Sequence, residues 1–235
     1  MIKNLNITFI NRYKFYFLPV VMIINIGVLA STKATDLQAV IDAIESKELD
    51  AKISVVISDK EDAYALERAR KHNIEAVFID AKADDIMAIE DKEERRIAFD
   101  TKVSEALDKH KVDLILAIGY MRIISPWFVG KYKNKIMNIH PSLLPAFAGG
   151  MDKDVHAEVL KAGVKETGCT LHFVDESVDG GPIILQKKVE IAKGETVESL
   201  KVKVQKAEQE IIIRTIQLYS EGRLKVVGKE VEIVE

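Results

Sequence analysis

Between residues 23 and 140 the chain alternates short apolar, β-branched runs with segments whose apolar residues recur at helical spacing. No other feature constrains the fold as strongly. Residues 23–30, 53–57, 76–79, 112–118 and 135–140 read as strands that are apolar on both faces. Between them, Leu37, Val40, Ile41 and Ile44 form one helical stripe. Residues 62–72 form a second amphipathic helix, and a long helix ends near His110 after a polar stretch at 80–93. Strands buried on both faces and joined by helices need right-handed crossovers, which predicts a doubly wound, Rossmann-like, mostly parallel α/β sheet. Past residue 150 the pattern changes. A helix at 153–163 is followed by strand-like runs at 170–174 and 182–189, close enough in sequence to pair antiparallel. A long helix at 197–221 stops at Gly222, and two short strands around Gly228 close the chain as a hairpin. The expected fold is therefore α/β with a C-terminal antiparallel extension.

Composition narrows the function classes. The chain has 235 residues, 48% of them hydrophobic and 30% charged, with a net charge of −3. That profile fits a globular protein, and the absence of a basic stripe argues against a nucleic-acid partner. Cys169 is the one cysteine, so an intrachain disulfide and a zinc site of paired cysteines are both excluded. A reducing, cytoplasmic setting follows as the simpler expectation. No stretch reads as a membrane span. Residues 1–22 carry Lys3, Arg12 and Lys14 ahead of an apolar run, which superficially matches a secretion signal. Pro19 and Asn25 interrupt that run, and its second half leads straight into a helix, as a first strand would. We expect Met22 to be the functional start, residues 1–22 to be an extension, and residues 23–235 to form a single domain.

In an open parallel sheet, ligands bind beyond the carboxyl ends of the strands. Asn138 and His140 stand at such an end, and their i, i+2 spacing points them to one side. Pro141 and Pro145 stiffen the loop that follows. An imidazole that can manage a proton beside an amide that can donate to a developing oxyanion suits acyl transfer. Asp179, in Asp179-Gly180-Gly181, is either a turn former or a partner that orients His140. His172, within a strand, and His72 and His110, at helix ends, have ordinary structural explanations. His156 lies nearer the site.

Three segments occur in consistent order across residues 23–225. They are Gly-Tyr-Met-Arg-Ile-Ile-Ser-Pro at 119–126, Asn-Ile-His-Pro-Ser-Leu-Leu-Pro at 138–145 and Val-Asp-Gly-Gly-Pro-Ile-Ile-Leu-Gln at 178–186. Together they resemble the phosphoribosylglycinamide formyltransferases, folate-dependent enzymes of purine synthesis; the His-Pro-Ser-Leu-Leu-Pro run by itself is shared across folate formyltransferases. The resemblance implies the formyltransferase fold and transfer of a formyl group from 10-formyltetrahydrofolate to the amine of glycinamide ribonucleotide. It implies no metal, small-molecule partners only, and a monomer or homodimer. On this likeness Asn138 would stabilise the tetrahedral oxyanion, His140 would move the proton, and Asp179 would hold His140, directly or through water. Arg96, Met121, Arg122, Ile123, Ile124, Asp175 and Val178 match the family's folate-binding positions, and Glu208 matches a carboxylate that holds the acceptor. Arg96 and Glu208 also fit as solvated helix charges, and Met121, Ile123 and Ile124 as core.

One segment departs from the family. Its first loop is glycine-rich and cradles a phosphate at a helix N-terminus. Here the loop reads Ser31-Thr32-Lys33-Ala34-Thr35-Asp36, with no glycine and with Asp36 where the family carries an amide. Either Lys33, Ala34, Thr35 and Asp36 still form the phosphate end of the acceptor site through cation, hydroxyls and free N–H groups, or Thr35-Asp36-Leu37-Gln38 is only a helix cap. Residues 146–152 also differ from the family and lengthen a loop that could close over ligand. Two alternatives stay open: a related formyltransferase acting on another amine, such as an amino sugar nucleotide, and a non-catalytic folate-binding protein of the same fold.

Overall fold

The strand Ile24–Leu29 (β1) lies inside a sheet of nine strands, with β2 (Ala51–Ser58) on one side and β4 (Leu114–Ala117) on the other, both parallel to it. This computed structural model of the chain describes residues 23–149 and 154–235. The anticipated extension at 1–22, with its start at Met22, lies outside the described residues, as do 150–153 of the long loop. β3 (Glu75–Phe78) pairs parallel with β2, and β5 (Ile136–His140) parallel with β4. The direction then reverses. β6 (Glu166–Phe173) runs antiparallel to both β5 and β7 (Ile183–Glu190). The hairpin of β8 (Leu224–Val227) and β9 (Glu230–Ile233) completes the order β3-β2-β1-β4-β5-β6-β7-β9-β8. The doubly wound α/β sheet with an antiparallel C-terminal extension is the one the alternation predicts.

Pleating divides the core in two. Along β1, Ile26 and Val28 face one layer while Leu29 faces the other, and Leu114 and Leu116 alternate with Ile115 along β4. One layer packs under α1 (Thr35–Glu45), α2 (Tyr64–Lys71), α6 (Val155–Ala162) and α7 (Val197–Ser220), with Leu37, Leu66, Val159 and Leu200 buried. The other packs under α4 (Lys92–Lys109) and α5 (Pro126–Lys131), with Phe99, Leu107 and Phe128 buried. Helix α7 starts with a reciprocal capping box between Thr196 and Ser199, and Gly222 at φ 68° follows its end.

Two helices extend the sequence reading. A single turn, α3 (Asp84–Met87), breaks the polar stretch at 80–93, and α5 begins at the last residue of the first of the three signature segments. Its start was legible: Ser125 caps it through the Phe128 N–H, and Pro126 occupies the first turn. The chain leaves β1 toward β2, while β4 lies on the opposite side, so the loops after β1 and β4 part at a topological switch point. The crevice opens there.

Candidate functional site

The end of β5 places Asn138 and His140 on one side, with the His140 ring nearly buried at 6% exposure. Asp179 reaches them from the loop between β6 and β7, where its backbone takes a left-handed φ of 54°. One carboxylate oxygen lies 3.4 Å from His140 Nδ1 and also accepts the Gly149 N–H at 2.9 Å. His140 Nε2 lies 3.0 Å from the Phe147 carbonyl. The imidazole is thus held between a carboxylate and a loop carbonyl, each an acceptor only.

The antiparallel pairing of β5 with β6 sets Asn138 opposite His172. His172 is buried, and that burial pushes its pKa down, so the neutral ring is favoured. Its Nδ1 lies 2.9 Å from the Phe173 carbonyl, which can only accept, so Nδ1 carries the hydrogen. Nε2 is then free to accept the Asn138 amide N–H at 3.1 Å. This bond fixes which way the Asn138 amide faces. Sequence reasoning set His172 aside, because its part depends on strand register and not on its neighbours in sequence.

Asn138 and Asp179 stand where two cavities adjoin. The smaller, of about 110 Å³, is walled by Arg122, Ile123, Ile124, Val174 and the loop 175–179, which includes Asp175 and Val178. The larger, of about 420 Å³, holds Met121, His140, Asp154, His156 and Lys201. The segment 121–124 therefore straddles both, with Met121 on the far side from Ile123. Arg122 lies over the Phe99 ring at 4.0 Å and 3.8 Å from the Asp59 carboxylate. Arg96 stands apart: it pairs with Glu93 at 2.6 Å along α4 and borders neither cavity.

The other side of the crevice differs from expectation. Helix α1 is capped not by Thr35 but by Ala34, in a left-handed conformation at φ 43° and with no side-chain cap bond. The anticipated capping box fails because Thr35 is already the first helical residue, where its hydroxyl cannot reach back to a later free N–H. Lys33 and Thr35 are exposed. Asp36 and Glu208 are instead buried, at 7% and 8% exposure, where α1 packs on α7. Burial pushes the Asp36 carboxyl up to about 6, against hydrogen bonds from its backbone and Gln209. Burial, reinforced by Asp36, pushes Glu208 up to about 8 while Lys201 opposes the shift. One Asp36 oxygen has no hydrogen-bond partner among the described residues. Glu208 is no solvated helix charge.

Sequence reasoning also passed over the loop's first residue as an actor. Ser31 donates its hydroxyl to Asp59 at 2.6 Å and accepts the Met121 N–H at 2.9 Å. Asp59 follows β2 and carried no signal in the sequence. Among the described residues, no group of three or more His, Cys, Asp or Glu is arranged to hold a metal ion, and no helix is long and apolar enough to cross a membrane.

Comparison with known proteins gives the family. The formyl transferase family matches residues 24–216. The chain is 39% identical over 202 residues to the phosphoribosylglycinamide formyltransferase of Haemophilus influenzae, covering 86% of this chain and 89% of that protein. It is 40% identical over 201 residues to the trifunctional purine biosynthetic protein adenosine-3 of Bos taurus, of whose length it spans 19%. The crystal structure of glycinamide ribonucleotide transformylase 1 from Symbiobacterium toebii superposes with a TM-score of 0.82 at 41% identity, covering 91% of this chain and 95% of that one. The chain belongs to the formyl transferase family and is an enzyme of it.

Proposed function

We propose that this formyltransferase moves the formyl group of 10-formyltetrahydrofolate onto the amine of glycinamide ribonucleotide, with Asn138, His140 and Asp179 at the reacting centre. The observation that carries the reading is their meeting where a narrow cleft and a larger cavity adjoin. The relatives named for this reaction match most of the chain.

The acceptor amine attacks the formyl carbon, forming a C–N bond and a tetrahedral oxyanion. The Asn138 amide donates to that oxyanion, in the orientation that His172 imposes. His140 takes the proton that the amine loses and returns it to the departing folate nitrogen as the carbon–nitrogen bond to the donor breaks. Asp179 stabilises the imidazolium formed in between. With Asp179 at Nδ1, Nε2 is the nitrogen left for the amine, and the Phe147 carbonyl that holds it has to give way. Arg122, Ile123, Ile124, Asp175 and Val178 would border the reduced folate, with Arg96 at its outer end. Met121 would back the reacting carbon. Glu208 and the loop from Lys33 through Ala34 and Thr35 to Asp36 would meet the acceptor. We place the enzyme in the cytoplasm, as a monomer or homodimer, with residues 23–235 acting as one domain.

A transfer assay with purified protein tests the reading. Formation of formylglycinamide ribonucleotide, saturable in both substrates, supports it. No product at millimolar substrate defeats it, and transfer to an amino sugar nucleotide instead would reassign the acceptor.

A further inference from the structure

We propose that Ser31 is a positioning residue for the donor half-site: from its place in the acceptor-side loop, it holds the Met121 N–H through a hydroxyl that buried Asp59 orients. The inference rests on the reading of residues 121–124 as the donor segment.

Hydrogen-bond polarity leaves this arrangement no freedom. A carboxylate only accepts and an N–H only donates, so the one hydroxyl hydrogen of Ser31 goes to Asp59 at 2.6 Å, and a lone pair faces Met121 at 2.9 Å. The Ser31 N–H adds a third tie, to the Gly119 carbonyl at 3.0 Å. The two loops also touch through Gly119, at φ +60°, where an added Cβ would lie 2.3 Å from Thr32 Oγ1. Three loops, after β1, β2 and β4, therefore meet at one side chain.

Asp59 gives the tie its strength. Its side chain is 4% exposed, and its second oxygen lies 3.8 Å from Arg122 and 3.9 Å from Lys60. A buried carboxylate costs several kcal/mol unless charges and hydrogen bonds satisfy it, so Asp59 fixes the Ser31 rotamer while restraining Arg122 over Phe99. Removing the hydroxyl would leave both Asp59 and the Met121 N–H short of a partner. The effect is therefore expected on the donor side, although Ser31 belongs to the other loop.

The test is calorimetric titration of full-length protein with tetrahydrofolate, without acceptor, alongside steady-state kinetics. Ser31→Ala should weaken folate binding about five- to tenfold, the loss of one charge-assisted hydrogen bond, with kcat within about threefold of the unsubstituted enzyme. Asp59→Asn keeps an acceptor for the hydroxyl but drops the charge facing Arg122, and should weaken binding by about threefold. If Ser31→Ala fails to fold, Asp59→Asn decides by the same criterion. Unchanged folate affinity in the variants, with only a raised acceptor KM or a lowered unfolding midpoint, would overturn the proposal and leave the functional reading intact. Failure of the unsubstituted protein to bind tetrahydrofolate would overturn both.

Discussion

The two sides of the crevice solve their problem differently. On the side proposed for the donor, side chains and backbone are held by their neighbours: Arg122 by Phe99 and Asp59, although its buried Nε has no hydrogen-bond partner among the described residues, and Met121 by Ser31. On the side proposed for the acceptor, α1 is entered through a left-handed alanine, and two carboxyls lie buried together with one Asp36 oxygen unpaired among the described residues. A half-site held by its own neighbours is shaped before its ligand arrives, whereas one that enters its helix through strain and buries two carboxyls carries a cost that its own packing does not relieve.

The largest effect should fall where the halves meet. His140→Ala should lower kcat by about 10²- to 10⁴-fold. Folate affinity, measured by titration, should stay close to that of the unsubstituted protein, because the donor side keeps its own partners. A parallel collapse of folate binding would break the contrast.

Next comes the buried acid. Asp36 binds its proton more tightly when folded, from a usual 3.8 up to about 6. Stability that is present below about pH 4 is therefore lost as pH rises to about 6 and stays lost above. Asp36→Asn should remove this dependence and leave the variant more stable by roughly 2 kcal/mol at neutral pH, with little difference near pH 4. Thermal or urea unfolding against pH reads it. A variant less stable at pH 7 would show that the carboxylate is well satisfied.

On the donor side, Arg122→Lys keeps the charge but loses the planar contact with Phe99. It should raise the donor KM by about tenfold, leaving the acceptor KM in place. The smallest effect belongs to Ala34→Gly. It relieves the left-handed conformation at the start of α1 and should stabilise the fold by about 0.5–1 kcal/mol, visible as a rise in the unfolding midpoint. A fall would mean that the alanine methyl packs better than its backbone suffers.

The contrast also marks what could be read from the chain. Strands from β1 to β5 and the helices α1, α2 and α4 were legible because continuous apolar runs and 3.6-residue stripes are local signals. Asn138, His140 and Asp179 were legible as candidates, and the fold brings them within reach of one another. His172 and Asp59 were not, since each acts through a partner that only strand register or crossover topology supplies. The capping box at Thr35 was misread because the sequence pattern does not reveal which residue turns the corner. Ala34, with no polar side chain to announce it, is the one that does.

The claim that the glycine-poor side still takes glycinamide ribonucleotide is tested most directly by calorimetric titration of the enzyme with that compound. We predict saturable one-to-one binding that weakens on Glu208→Ala substitution, since Glu208 would hold the acceptor. No binding at millimolar ligand, in a protein that still binds tetrahydrofolate, would contradict the account and leave a folate enzyme with a different acceptor.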